Sequence, residues 1–130
     1  MTEQQKDIVL GRLNQAKESL DEAKALFSEG AELIFVMNSL YYSFLYPVLG
    51  LLQARKIKAP LQSTAITLFE REYVRTGIFE SRFLDAFRKA FDLRPACEGR
   101  KKIAAADIEA LLPAARDFLH AVDKNIQQSA

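Results

Sequence analysis

At 130 residues the chain is the size of one domain and long enough to bury a real core. Its 18 basic and 17 acidic residues leave a net charge of +1, so no global charge argument points to nucleic acid or an acidic membrane, and any basic site must be local. A hydrophobic share of 49% excludes a disordered chain, and a single cysteine excludes an internal disulfide.

The polar start, MTEQQKDIVL, lacks the apolar run of a signal peptide. Together with the lone cysteine this implies a cytoplasmic protein. No internal repeat, low-complexity tract or long linker divides the sequence, so residues 1–130 read as a single domain.

Residues 3–28 predict the first helix. Val9, Leu13, Ala16, Leu20, Ala23 and Phe27 alternate four and three apart, while Arg12, Gln15, Glu18 and Glu22 point elsewhere. Gly30 is the expected left-handed stop, and so short a connection favours an antiparallel return.

Residues 31–57, AELIFVMNSLYYSFLYPVLGLLQARKI, form the central segment, and no formal charge falls between Leu33 and Ala54. Met37, Leu40, Phe44, Val48 and Leu51 make one helical series; Tyr41, Leu45, Leu49 and Leu52 make a second. A helix apolar nearly all round must be enclosed by other helices or by lipid. Lipid is the poorer fit, although the length suffices for a bilayer. The segment contains Asn38, Ser39, Ser43 and Gln53, and its tyrosines sit near the middle rather than at the interfaces. Leu40 is therefore expected inside a protein core. Pro47 predicts a kink rather than a break, because the apolar pattern keeps its phase across it. Arg55, Lys56 and Lys58 suit the helix C-terminus.

After a turn at Pro60, residues 63–75 predict a third helix, with Ile66, Phe69 and Tyr73 on one side and Gly77 as its end. Residues 81–93 predict a fourth, with Ser81 as N-cap and Leu84, Phe87 and Phe91 inward. Phe83 lies off that stripe and is expected to be exposed, as part of an interface between two copies. Residues 95–102 read as a loop carrying Cys97, Glu98, Gly99 and the basic run Arg100, Lys101 and Lys102. The fifth helix is expected from Asp107, its N-cap, with Ile108, Leu111, Ala115, Phe118, Val122 and Ile126 as its stripe. Pro113 would kink it or delay its start. No segment alternates as a strand does. The predicted fold is all-α: a mostly antiparallel, up-and-down helical bundle of four long helices and one shorter helix.

Few residues carry recognisable chemistry. His120 is the single histidine, and Asp117 precedes it by one helical turn. A di-metal bundle needs two such pairs and further carboxylates, so the pair reads as a surface histidine beside an acid; the metal alternative is a site shared by two copies. Cys97 and His120 have nothing in the sequence to bring them together as nucleophile and base. Phosphate loops and nucleophile elbows are missing, and no cofactor is implied. Arg94 with Arg100, Lys101 and Lys102 is the one local basic cluster. Tyr41, Tyr42 and Tyr46 would lie near it if the second and fourth helices are neighbours, a combination that suits single-stranded nucleic acid. The alternative is a solvated loop beside core tyrosines.

Asn38-Ser39-Leu40-Tyr41-Tyr42-Ser43-Phe44 resembles the N-R-A-Y-Y-A-x signature of HEPN domains, the higher eukaryotes and prokaryotes nucleotide-binding family. Leu68-Phe69-Glu70-Arg71-Glu72-Tyr73-Val74-Arg75-Thr76-Gly77 is similar to the family's L-F-x-x-x-F-V-x-T-G, and Ala90-Phe91-Asp92-Leu93-Arg94 to its A-F-x-x-R. The resemblance implies a helical bundle that pairs as a homodimer. Many members are ribonuclease toxins encoded beside a nucleotidyltransferase, with an arginine and a following histidine gathered from both subunits. Arg94 matches the arginine. The histidine would fall at 99, 100 or 101, where this chain has Gly99, Arg100 and Lys101. Ser39 replaces the arginine of the first motif, and Cys97-Glu98-Gly99 replaces a common A-D-Y. An arginine stays protonated and cannot act as the base that histidine supplies. The expectation is a non-catalytic, homodimeric binding module for RNA or a nucleotide, with Asn38, Tyr42, Arg94, Glu98, Arg100 and Lys101 as ligand-binding residues and a nucleotidyltransferase as partner. The alternatives are a degenerate ribonuclease using Arg94 with Glu98, and a purely structural helical protein.

Overall fold

The computed structural model describes residues 1–94 and 102–128. It contains five α-helices in the order α1 (Glu3–Ser28), α2 (Leu33–Ala54), α3 (Gln62–Phe69), α4 (Ser81–Leu93) and α5 (Ala105–Gln128), and no strand among the described residues. A π-helical turn, Glu70–Val74, continues α3.

Why α1 forms is visible at its start. Thr2 and Gln5 make a reciprocal capping box: the Gln5 N–H donates to the Thr2 hydroxyl at 3.1 Å and the Thr2 N–H to the Gln5 side chain at 2.8 Å. Its expected stripe is buried, from Val9 to Ala23. Gly30 is left-handed, with φ 77°, and the Ala31 N–H donates back to the Leu26 carbonyl at 3.0 Å. That closure turns the chain sharply into α2. Gln5 then donates to the Ala54 carbonyl and Arg12 to the Gln53 side chain, so α1 and α2 run antiparallel.

By length and composition α2 could cross a bilayer, but most of its circumference is enclosed by the other four helices. Leu40, Phe44, Val48 and Leu51 are all fully buried. The helix passes Pro47 without a break. Its far end closes on Lys56, a left-handed residue with φ 60°, while the Ile57 N–H donates to the Leu52 carbonyl. The approach of α1 to α2 depends on Gly50. A Cβ there would lie 2.8 Å from the Arg12 Cβ and 3.3 Å from the Val9 Cα. Both atoms sit at the root of α1 rather than on a flexible tip. Gly50→Val is therefore expected to cost about 1–3 kcal/mol in urea unfolding through overpacking. An unchanged midpoint would show that the helices can separate freely.

One connection departs from a simple up-and-down order. The Tyr41 hydroxyl donates to Gln62 at 2.8 Å and the Tyr73 hydroxyl to the Leu51 carbonyl at 2.9 Å, so α3 and its π turn run in the same direction as α2. The intervening residues 55–61 carry the chain back. Further along, Lys89 pairs with Asp107 and Arg82 with Asp117, which sets α5 antiparallel to α4.

Two helix starts differ from expectation. Ser81 is the first residue of α4 and not its cap; Glu80 precedes it without a side-chain cap bond and pairs with Arg82 instead. Asp107 is not the N-cap of α5, which begins at Ala105. Its carboxylate accepts the Ala104 N–H at 2.9 Å, and that bond, with Lys89, holds its pKa below the ordinary value. Pro113 lies within α5 and does not delay its start.

Most of the aromatic residues form one cluster through the core, with edge-on, tilted and stacked contacts. Phe118 meets Phe44, Phe69, Phe79 and Phe83 with centroids 5.3–6.0 Å apart. Phe83 is only 3% exposed, so the expectation of an exposed Phe83 at an interface is wrong. Phe118 arrives from another helix to cover it, which the stripe of α4 alone does not reveal.

Candidate functional site

The site is built where the C-terminus of α4 meets the N-terminal half of α2. Phe87 stacks near Tyr41 and Phe44, and Phe91 lies one turn further on, 6.1 Å from Tyr41. Arg94, immediately after α4, is carried by this packing. Its guanidinium lies 3.6 Å from the Phe91 ring centroid and 5.6 Å from that of Tyr41. Nη1 donates to the Phe91 carbonyl at 2.6 Å, one of the acceptors that a helix end leaves free. Nε is buried and has no hydrogen-bond partner among the described residues. No carboxylate pairs with Arg94 there either. The result is a fixed, half-buried cation on an aromatic bed, with no carboxylate against it among the described residues, a suitable receptor for one phosphate.

Tyr41 supplies the inner wall. Burial pushes its phenol up to about 12, against an opposing effect of Arg94, so it stays protonated at neutral pH and cannot serve as a base. Ser39, in place of the signature arginine, is also interior, at 7% exposure.

The sequence-predicted residues divide into two groups. Tyr42 is half-buried with its ring 5.4 Å from Tyr41, and therefore joins Arg94 through that ring. Asn38 is exposed one turn earlier on the same helix. Glu98, Arg100 and Lys101 lie outside the described residues, as does Cys97.

His120 is elsewhere. It lies exposed on the groove between α1 and α5, a space of about 300 Å³ also lined by Lys17, Asp21, Lys24, Arg116 and Asp123. Asp107, paired with Lys89 of α4, marks the end of α5 nearest Arg94. His120 is thirteen residues further along α5, roughly 20 Å at the helical rise, and so does not reach Arg94 of its own chain. Asp117 is engaged by Arg82 and Arg116, and among the described residues no group of three His, Cys, Asp or Glu side chains is placed to hold a metal.

Two residues near the site were not among the predicted ligands. Tyr46 lies 5.4 Å from Tyr42, ring to ring, and Arg12 of α1 sits 5.8 Å from the Tyr46 centroid. Tyr46 follows Tyr42 at the spacing of one helix face, a signal present in the sequence. Arg12 could be assigned only once the register of α1 on α2 was known.

Among known proteins, the chain is 28% identical over 129 residues to a UPF0332 protein of Thermotoga maritima, a match spanning 98% of this chain and 96% of that relative. No family model matches the chain, and no solved structure matches it significantly.

Proposed function

We propose that the protein is a non-catalytic HEPN-like binding module that acts as a homodimer, holds RNA or a nucleotide through Arg94, and works with a nucleotidyltransferase in a toxin–antitoxin-type pair. The observation that carries the binding reading is the Arg94 guanidinium, fixed on Phe91 and facing no carboxylate among the described residues. It can bind a phosphate oxygen by charge-assisted hydrogen bonds. It cannot remove a proton from an attacking hydroxyl. Neither Tyr41, protonated, nor His120, about 20 Å along α5, supplies that base within the chain.

The signature-like residues around Tyr41, Tyr73 and Arg94 support the HEPN-like part of the reading. Pairing two chains would double a single half-buried cation into a concentrated basic cleft, which explains how a near-neutral protein can hold a polyanion. Sedimentation equilibrium at micromolar concentration tests the pairing. The expected mass is about twice the 14.7 kDa of the chain, and a mass of 14.7 kDa rejects the dimer.

A further inference from the structure

Among the described residues, one face of α2 is left partly uncovered by the bundle. Phe35 is 59% exposed, Asn38 is exposed, and Tyr42, Tyr46 and Leu49 are half-buried along the same face. The Tyr42 and Tyr46 rings stand one turn apart, inclined by 31°, and neither hydroxyl has a hydrogen-bond partner among the described residues. Phe35 to Tyr46 spans roughly 16 Å at the helical rise. Cations flank this stretch near its middle and at its C-terminal end. Arg94 reaches Tyr41, and Arg12 reaches Tyr46, held there by the neutral side chains of Gln53 and Gln15. Neither arginine is paired with a carboxylate among the described residues. Aromatic faces with guanidinium groups beside them suit a strand whose bases are free to stack, whereas a duplex hides its base faces.

We infer that this stripe is a base-stacking track for unpaired nucleic acid, with bases on Tyr42 and Tyr46 and backbone phosphates on Arg94 and Arg12. The inference rests on the binding reading at Arg94 and extends that site along α2, to residues outside the signature-like motifs.

Fluorescence anisotropy with a labelled single-stranded twelve-nucleotide oligouridylate and a duplex RNA of the same length tests it. Tyr46→Ala should weaken single-strand binding about five- to a hundredfold. Tyr46→Phe, which keeps the ring, should stay within about twofold, and the duplex should bind more weakly than the single strand. Unchanged binding in a folded Tyr46→Ala protein, with binding still lost in Arg94→Ala, overturns the track and leaves the Arg94 reading standing. No binding by the wild type overturns both. If Tyr46→Ala halves the mass in sedimentation, the stripe is a contact between copies and the track is rejected. A Tyr46→Phe loss equal to that of Tyr46→Ala rejects stacking in favour of the hydroxyl.

Discussion

Phe118→Ala is expected to remove about 3–5 kcal/mol of stability, a large share of the 5–15 kcal/mol typical of a folded domain. Phe118 is 1% exposed and meets rings from α2, α3, α4 and the segment before α4. Removing it opens a cavity bounded by aromatic planes that cannot collapse together without moving several helices. Urea unfolding should show a much lower midpoint with little change in slope. A loss below about 1 kcal/mol would mean that Phe118 is not the junction of the core.

Arg94→Ala is expected to weaken binding of single-stranded RNA about ten- to a hundredfold, the effect of losing charge-assisted hydrogen bonds to a phosphate. Arg94→Lys should not restore it. A lysine carries the charge but lacks the planar fork that lies on Phe91 and donates to its carbonyl. Anisotropy titration of the three proteins at one fixed salt concentration measures both effects. Equal affinity of wild type and Arg94→Ala would place the phosphate contact elsewhere.

The all-helical fold was legible because the apolar spacing of α1, α2 and α5 has one solution, and the buried residues from Val9 to Ala23 and from Ile108 to Ile126 follow it. Gly30 marked its turn because a left-handed residue is needed there and glycine takes that shape at little cost. Lys56 takes the same shape without a compositional signal. The π turn escaped detection because an i to i+5 bond, from the Arg75 N–H to the Glu70 carbonyl, leaves little mark on a short apolar pattern. The direction of α3 depends on where Tyr41 and Leu51 find partners, and the burial of Phe83 on a ring thirty-five residues away. At the candidate site, Arg94 and Tyr42 stood out in the sequence. Arg12 entered with the tertiary packing, because its position beside Tyr46 is set by the contact of α1 with α2.

The most direct test of a binding module that does not cleave is to incubate the purified protein with end-labelled mixed RNA and to follow retention and chain length together. The expected result is intact RNA, retained by the wild type and lost from Arg94→Ala. Fragments that appear with the wild type and vanish with Arg94→Ala would contradict it, and would make the protein a ribonuclease.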